Sequence, residues 1–354
     1  MTDRTDPWRV AVVGAGRIAD EHLRFLSSSG RCHVVAVCDR STSLASVAAA
    51  RFGIERTFAS HDDMLATIAP EVVHVLTPAA THATIASDCL DAGAHVVVEK
   101  PAALSAAALD DLLARANAAR RMVIEDHNYR FNRPFVLLEQ AVHAGRYGDI
   151  KEIETTIVAP TDERSRYGDR NLPSDSHALP SGFVHEFITH LAYLTLRLLP
   201  VYESVETCWY SSAAGGPSRF DAFDARVAGG SSRALVHFGS SCSPRVNTVR
   251  VRGTRGSAEC DLALGILQER VSRRVGAQLS PFVDALDGGR RSIVGSMRAI
   301  GSRLAGGSGF DGMNCFLERT YRALDRSSEP PVSPADMRGV ARLVDAFVAA
   351  RGPS

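Results

Sequence analysis

The sequence predicts an α/β, doubly wound parallel sheet in residues 1–127, followed in residues 128–354 by an α+β domain with a large, mostly antiparallel, open-faced sheet. In the first part, short apolar runs alternate with helical segments, which is typical of parallel strands joined by helices. Beyond residue 128, strand-like runs follow one another without intervening helices, as in antiparallel sheets. A chain of 354 residues is also long for one hydrophobic core, so two domains are expected.

The first domain is predicted to alternate short buried strands with helices. The strands lie at residues 9–14, 33–38, 72–76, 95–98 and 122–125. The helices whose bounds the pattern indicates lie at residues 17–28, 43–52, 85–92 and 105–120. Gly93 stands where a helix C-terminal cap belongs, because glycine readily adopts the left-handed conformation that ends many helices.

The second domain is predicted to consist mainly of strands. These lie at residues 150–158, 204–210, 220–227, 233–240, 248–253 and 257–264. Its helices are predicted at residues 134–144, 182–199 and 333–350, and residues 214–218 indicate a hairpin or loop. The Gly-, Ser- and Arg-rich segment 273–310 has an amphipathic pattern near residues 292–304, which fits either a lid or subunit contact over the sheet or association with a membrane surface.

Composition favours a cytoplasmic protein with no nucleic-acid partner and no stable membrane insertion. The formal net charge is zero, and no apolar run approaches the roughly 18 residues that span a bilayer. The polar N-terminal segment lacks the apolar core of a signal peptide. The seven cysteines form no C-x-x-C pair, which favours buried thiols in a reducing compartment over disulfides or zinc. Lys100 and Lys151 are the only lysines of the chain, and its other basic residues are arginines. A lysine in such a chain is therefore more readily explained by the chemistry of its amine, which can exchange a proton.

A glycine-rich turn follows the first predicted strand. Gly14, Gly16 and Ala19 form the G-x-G-x-x-A fingerprint of a Rossmann dinucleotide-binding turn. The first glycine permits the tight turn, the second lets the backbone approach a pyrophosphate, and the alanine lets the helix pack on the strand. Arg17 and Ile18 begin that helix, whose N–H groups and dipole favour phosphate. We therefore expect these five residues to bind a dinucleotide cofactor.

Asp39 ends the second predicted strand, about 20 residues after the fingerprint. An acidic residue at this place binds the ribose hydroxyls of the adenosine. Its charge also repels the 2′-phosphate of NADP, so NAD is the expected cofactor. Arg40 and Ser41 follow at once and would accommodate that phosphate if Asp39 turned away, so NADP stays open as the alternative.

A third motif occupies residues 77–101, with Thr77-Pro78, then His82, then Glu99-Lys100-Pro101. Together with the fingerprint, it resembles the central signature of the Gfo/Idh/MocA oxidoreductases, the glucose-fructose oxidoreductase and inositol dehydrogenase group. The family pattern places a His four residues after the Pro and then A-G-K-H-V and E-K-P. This chain departs from the pattern at Ala94, where the family has Lys, and at residues 79–80, where a polar residue often follows the Pro.

The resemblance implies a site for the nicotinamide half of the cofactor. Thr77 and Pro78 would line the nicotinamide pocket, and His82 would belong to the same cofactor site. Glu99 would lie beside the cofactor ribose. Lys100 would point into the cleft between the domains, bind the substrate oxygen and help to carry its proton.

The family's second motif is an Asp followed by a His four residues later on a helix. Here Glu186 and His190 match it, with Glu in place of Asp and Ile188 in place of the usual Gly. Residues four apart share a helix face, so both side chains could reach one substrate. The resemblance implies that His190 is the general base or acid, and that Glu186 orients it or binds a substrate hydroxyl.

The junction between the domains also resembles the family, in a segment that ends in N-Y-R-F. Asn128, Tyr129 and Arg130 would either contact the substrate or form a structural hinge. His177, in the loop before the motif helix, is a weaker candidate for a substrate contact. No metal site is expected, because His185 and His190 lie five residues apart and face different sides of the helix.

These observations predict an NAD(P)-dependent dehydrogenase or ketoreductase. It would act on a secondary alcohol or ketone of a sugar, cyclitol or nucleotide-sugar, with Lys100 and His190 managing the proton. Two alternatives stay open: a redox glycosidase on the same fold with tightly held NAD, and a non-catalytic sensor that kept the cofactor site. A homodimer or homotetramer through the C-terminal sheet is expected.

Overall fold

A computed structural model describes residues 6–161, 175–211, 220–271, 280–304 and 311–350. The chain divides into two compact units. The first comprises residues 1–127 and 313–342, and the second comprises residues 128–312 and 343–354. The division after residue 127 coincides with the expected boundary, whereas the sequence had assigned residues 313–342 to the second domain.

The first unit contains a six-stranded parallel sheet. Its strands in chain order are β1 (Trp8–Val13), β2 (Cys32–Cys38), β3 (Thr57–Phe58), β4 (Val72–Val75), β5 (His95–Val98) and β6 (Val123–Glu125). The spatial order is β3-β2-β1-β4-β5-β6, so the winding reverses between β1 and β4. Doubly wound sheets bind dinucleotides at the carboxyl ends of the strands beside such a reversal.

Helices connect these strands. They are α1 (Arg17–Ser28), α2 (Thr42–Phe52), α3 (His61–Ile68), α4 (His82–Asp91) and α5 (Ala106–Ala119). Serine hydroxyls cap α2, α3 and α5 by accepting a hydrogen bond from a first-turn N–H group, which stabilises helix starts. Gly93 has a φ of +83° just beyond α4, which confirms its capping position. The central strands are buried on both faces and hence rich in valine.

The second unit is built on a seven-stranded sheet. Its strands are β7 (Ile150–Val158), β8 (Ser204–Tyr210), β9 (Ala222–Gly229), β10 (Ser232–Gly239), β11 (Val246–Gly253), β12 (Gly256–Asp261) and β13 (Ile266–Val271). The spatial order is β13-β12-β11-β7-β10-β9-β8. Only the pairing of β7 with β10 is parallel among the described strand pairs of this sheet, so the predicted, mostly antiparallel sheet is confirmed.

Among the described residues, the α-helices that lie wholly in this unit are α6 (Arg133–His143), α7 (Val184–Leu198) and α8 (Ser280–Leu304). Helix α7 packs on the middle strands β7 and β10, where Thr155 and Thr195 share a buried hydrogen bond of 3.0 Å. Burial alternates along β9 and β10, so that alternate side chains are buried and those between them are half-buried or exposed, as an antiparallel sheet permits. Helix α8 covers the predicted amphipathic segment but starts earlier, and the predicted hairpin at 214–218 lies outside the described residues.

The last two helices, α9 (Asp311–Arg326) and α10 (Pro334–Ala349), explain why residues 313–342 join the first unit. The indole N–H of Trp8 donates to Asp325 at 2.8 Å, and Arg338 bonds Asp110 at 2.6 Å. Helix α9 and strand β13 were not predicted from the sequence. Within the described residues, every helix is too short or too polar to cross a membrane.

Candidate active site

The turn between β1 and α1 has the geometry of a phosphate-binding loop. Gly14 has a φ of +98°, and a Cβ there would lie 2.6 Å from the carbonyl oxygen of Leu76, so only glycine fits. Gly16 caps α1, is exposed, and an added Cβ would meet no atom within 4 Å. The space over the first turn of α1 is thus open, and its N–H groups suit a pyrophosphate. Ala19 is 1% exposed, as close packing of α1 requires, while Arg17 is exposed.

Asp39 joins the end of β2 to this turn. One carboxylate oxygen accepts a hydrogen bond from the N–H of Ala15 at 2.7 Å, and the other accepts from the N–H of Ser41 at 2.8 Å. The hydroxyl of Ser41 caps α2, and Arg40 is exposed. These bonds hold the carboxylate at the strand end, where an adenosine ribose lies in Rossmann domains. The turn and Asp39 therefore fit a dinucleotide.

His82 connects the two halves of the third motif. Its Nε2 lies 2.6 Å from the carbonyl oxygen of Thr77, and its Nδ1 lies 2.8 Å from that of Pro101. The ring is 1% exposed, and burial lowers its pKa. Both nitrogens thus face backbone carbonyls, so the structure gives His82 a positioning role for the segments that carry Thr77 and Lys100. A direct contact of His82 with the cofactor stays a prediction.

Glu99 and Lys100 follow β5 directly. The Lys100 N–H donates to a carboxylate oxygen of Glu99 at 3.0 Å, and Glu99 is 9% exposed whereas Lys100 is half-buried. Burial first, and then the nearby charge of Asp126, raise the pKa of Glu99 to about 7. A carboxyl group that titrates near neutrality is characteristic of functional sites.

In the second unit, the residues expected to bind substrate surround His190. Its Nδ1 is 2.7 Å from the hydroxyl oxygen of Tyr193, and its ring stacks on that of Tyr129 with centroids 4.4 Å apart. The same hydroxyl accepts from the Tyr129 N–H at 3.2 Å and donates to Oδ1 of Asn128 at 3.4 Å. Nδ1 of His190 is thus engaged by the Tyr193 hydroxyl, which also contacts the segment that carries Asn128 and Tyr129.

Glu186 lies one turn before His190 on α7 and accepts a hydrogen bond from the hydroxyl of Ser176. Ser176 is 3% exposed and belongs to a short 3₁₀ turn, Asp175–Ala178, that precedes α7. Hydrogen bonds thus join His190 to Tyr193 and Glu186 to Ser176. Neither Tyr193 nor Ser176 was predicted from the sequence to belong to the site. The three-residue spacing of His190 and Tyr193 on a helix was the one available signal.

Two further predicted residues contact aromatic rings. The guanidinium of Arg130 lies 5.7 Å from the ring centroid of Phe131, and the ring of His177 meets that of Phe183 edge to face at 6.3 Å. Each predicted group is therefore assembled within its own unit. The first unit brings together the residues at its strand ends: Gly14, Gly16, Asp39, Thr77, Glu99 and Lys100. The second brings together Asn128, Tyr129, Glu186 and His190 around α7.

The first domain is similar in sequence to known proteins. The model of an oxidoreductase family with an NAD-binding Rossmann fold, GFO_IDH_MocA, matches residues 8–127. D-glucoside 3-dehydrogenase of Escherichia coli (strain K12) is 31% identical over 147 residues, which are 41% of this chain and 42% of that protein. Inositol 2-dehydrogenase 1 of Saccharopolyspora erythraea is 35% identical over 144 residues, 40% of this chain and 43% of that protein. The chain thus aligns with less than half the length of these relatives.

A solved structure extends the likeness to the whole fold. The crystal structure of the WlbA dehydrogenase from Bordetella pertussis, in complex with NADH and UDP-GlcNAcA, has a TM-score of 0.75 at 19% identity and covers 99% of this chain and 96% of that chain. At such low identity, the likeness shows the fold alone. The match to the family model lies in the first domain, in the range that contains the glycine turn, Asp39 and the Glu99-Lys100-Pro101 segment. Residues 8–127 of this chain thus match the NAD-binding, Rossmann-fold domain of the Gfo/Idh/MocA oxidoreductases.

Proposed function

We propose that this protein is an NAD-dependent dehydrogenase or ketoreductase that acts on a secondary alcohol or ketone of a carbohydrate-like substrate. The observation that carries the proposal is the open glycine turn at the N-terminus of α1, with Asp39 held beside it by the N–H of Ala15. This arrangement supplies both a pyrophosphate site and a ribose site. NAD is preferred to NADP because the Asp39 carboxylate would repel a 2′-phosphate.

The substrate class follows from relatives of the first domain. The Escherichia coli protein is named for oxidation of a glucoside and the Saccharopolyspora protein for oxidation of an inositol. Both names describe ring compounds with several hydroxyl groups. We infer a sugar, cyclitol or nucleotide-sugar as the substrate, and we place the enzyme in the cytoplasm as a homodimer or homotetramer formed through the seven-stranded sheet.

Proton transfer is assigned to side chains of both units. The cofactor, when bound, supplies the hydride acceptor or donor. Lys100 follows β5 and would hydrogen-bond the reacting oxygen. His190 would take or return the hydroxyl proton through Nε2, since its Nδ1 is engaged with Tyr193. Glu186, Asn128, Tyr129 and Arg130 would bind the other substrate hydroxyls.

The test is a substrate panel with matched lysine variants. Glucosides, inositols and nucleotide-sugars are incubated with NAD⁺, and the corresponding ketones with NADH, while NADH absorbance is followed. Lys100→Met should lower turnover by about 100-fold or more, the usual scale for a lost proton-transfer group, with little loss of NAD affinity. Lys151→Met is the control, because that exposed lysine bonds Ser231 on the sheet and should leave turnover unchanged.

Two outcomes of this panel would contradict the proposal. Binding of NAD without turnover of any substrate would favour a cofactor-binding sensor. Release of an aglycone from a glycoside without net NADH, by enzyme that retains NAD through purification, would favour a redox glycosidase.

A further inference from the structure

A buried charged cluster lies at the carboxyl ends of β5 and β6. Glu99 follows β5, Asp126 follows β6, and His22 reaches them from α1. Glu99 is 9% exposed, and the other two are fully buried. One ligand-type atom from each of the three lies within 4.8 Å of the others, and His22 Nε2 is 3.7 Å from Oδ2 of Asp126. Two acidic groups thus share a site that water scarcely reaches.

The histidines of this region do not neutralise the two carboxylates. Burial lowers the pKa of His22 to about 4, against the opposing charges of Glu99 and Glu21. His22 Nδ1 shares a hydrogen bond of 2.8 Å with Nδ1 of His74, whose Nε2 is 2.9 Å from the hydroxyl of Tyr321. Burial also lowers the pKa of His74 well below its ordinary value. Both imidazoles are therefore neutral near pH 7.

The charge of Lys100 lowers the proton affinity of Glu99, but burial and the charge of Asp126 raise it by more. Two carboxylates that close together in a buried site do not both ionise readily, because each raises the proton affinity of the other. One proton bound by Glu99 and Asp126 together relieves this repulsion.

We propose that Glu99 and Asp126 form a proton-holding pair whose proton is released when NAD⁺ binds and is retained when NADH binds. The inference rests on the proposed function, because it requires the cofactor. In a sheet of this order the dinucleotide crosses the strand ends, and its adenosine half lies at β2 beside Asp39. The nicotinamide half then lies on the side of β4, β5 and β6, next to the pair. NAD⁺ differs from NADH there by the positive charge of the ring, which lowers the proton affinity of nearby carboxylates.

The pair would also take up a proton during the reaction. Oxidation of an alcohol by NAD⁺ yields a ketone, NADH and one proton, and His190 is the proposed acceptor of that proton. Because conversion of NAD⁺ to NADH would remove the positive charge of the ring, the proton affinity of the pair would rise, and the pair would bind a proton from the Lys100 ammonium, which solvent would replace. By linkage, the affinity for NAD⁺ relative to NADH should rise with pH around the pH at which the pair titrates.

Calorimetry measures this proton directly and independently of turnover. NAD⁺ and NADH are titrated into the protein near pH 7 in buffers of different ionisation enthalpy, with EDTA to keep divalent cations from the cluster. NAD⁺ binding should release up to one proton more than NADH binding does. Glu99→Gln should abolish that difference. Glu125→Gln is the matched control, since this buried carboxylate ends β6, accepts from the N–H of Ala102 and should keep the difference.

Asp126→Asn provides a second test of the pair if Glu99→Gln folds poorly, and its expected effect on proton release is different. Without the neighbouring charge the proton affinity of Glu99 falls, so the difference in proton release should move to lower pH rather than vanish. Equal proton release with NAD⁺ and NADH in the wild type, or an unchanged difference in both Glu99→Gln and Asp126→Asn, would overturn the pair. Absence of binding of either cofactor would instead overturn the proposed function.

Discussion

At the scale of single residues, the candidate site depends on polar groups that are fixed by backbone atoms and tyrosines. Asp39 is held by two N–H groups, His82 by two carbonyl oxygens, and His190 by Tyr193. Each bond limits the orientation of a side chain that would otherwise rotate. Preorganised groups of this kind bind ligands and transition states with less loss of conformational entropy.

Asp39→Ala should narrow the preference of the protein for NAD over NADP. The substitution removes the charge that would repel a 2′-phosphate and the acceptor for the ribose hydroxyls. The ratio of the two dissociation constants should fall by about tenfold or more, as expected for a lost hydrogen bond to a charged group. Titration of both cofactors by nicotinamide fluorescence measures the ratio, with Asp39→Asn as the variant that keeps shape but not charge. A wild-type preference for NADP would contradict this interpretation of Asp39.

Tyr193→Phe should lower kcat by about tenfold while KM changes little. Loss of the hydroxyl frees the imidazole of His190 to turn away from the geometry that proton transfer needs. The free energy of unfolding should also fall by about 1 kcal/mol, because a buried hydrogen bond is lost.

Tyr147→Phe is the control for Tyr193→Phe. Tyr147 is equally buried, and its hydroxyl donates to Glu269 at 2.7 Å in the same unit. Tyr147→Phe should lower the free energy of unfolding by a similar amount and leave kcat unchanged. If both variants kept wild-type kcat, Tyr193 would have only a structural role.

At the scale of elements, the site residues lie at strand ends and helix starts. The turn from β1 to α1 carries the glycines, the ends of β2 and β5 carry Asp39 and Glu99, and α7 carries His190. Helix α7 packs across the middle of the seven-stranded sheet, so its orientation is set by many apolar contacts rather than by the polar residues themselves.

The two glycines of the β1–α1 turn should respond differently to alanine. Gly14→Ala forces an alanine to a φ of +98° and against the Leu76 carbonyl, so it should cost about 2 kcal/mol or more of stability and weaken NAD binding. Gly16→Ala meets no protein atom within 4 Å, so its melting temperature should stay near that of the wild type. Its methyl group would instead occupy the space proposed for the pyrophosphate and weaken NAD binding. Thermal denaturation and NAD titration of both variants test this, and NAD affinity unchanged in Gly16→Ala would place the phosphates elsewhere.

At the scale of the whole molecule, the chain leaves its first unit after residue 127 and returns to it for residues 313–342. The bonds of Trp8 to Asp325 and of Asp110 to Arg338 therefore join parts of the sequence more than 200 residues apart. The stability of the cofactor-binding unit consequently depends on the C-terminal helices as well as on its own sheet.

The free energy of unfolding of this unit should depend on pH in a way that reflects the titration of Glu99. A group whose pKa is higher in the folded than in the unfolded chain stabilises the folded state. This contribution is complete below the unfolded pKa and is lost as the pH rises through the folded pKa. The pKa of Glu99 rises from 4.5 to about 7, so the stabilisation by Glu99 declines as the pH rises through this range. His22 acts in the opposite sense, since its pKa falls from 6.5 to about 4 and its contribution is gained with rising pH.

Comparison of the wild type with Glu99→Gln isolates the contribution of Glu99. Between about pH 5 and pH 8, the wild type should lose on the order of 2 kcal/mol relative to the variant. Unfolding by urea, followed by Trp8 fluorescence in a Trp209→Phe background, reports on the first unit because these are the two tryptophans of the chain. An identical pH profile in wild type and variant would show that Glu99 is ionised throughout, as in the unfolded chain.

The sequence by itself determined the features that depend on neighbours along the chain. The alternation of strands and helices, the glycine turn, the position of Asp39 and the strand-rich second part are local patterns, and local patterns reflect steric and hydrogen-bonding preferences of nearby residues. The interior strands and helices of the first domain were accordingly predicted to within a few residues. Strand β13 and helix α9 were missed, because β13 is half exposed and α9 begins in a glycine- and serine-rich stretch without a clear start signal.

Only the tertiary structure decided which distant residues meet. The return of residues 313–342 to the first unit depends on Trp8, His74 and Asp110 finding partners on helices far along the chain. The partners of His190 and Glu186 were likewise decided by the packing of α7 against the segments before it. The proximity of His22, Glu99 and Asp126 arises because α1, β5 and β6 converge at one edge of the sheet. Such contacts leave no periodic trace in the sequence, since they depend on burial and on the order of strands in the sheet rather than on the spacing of residues.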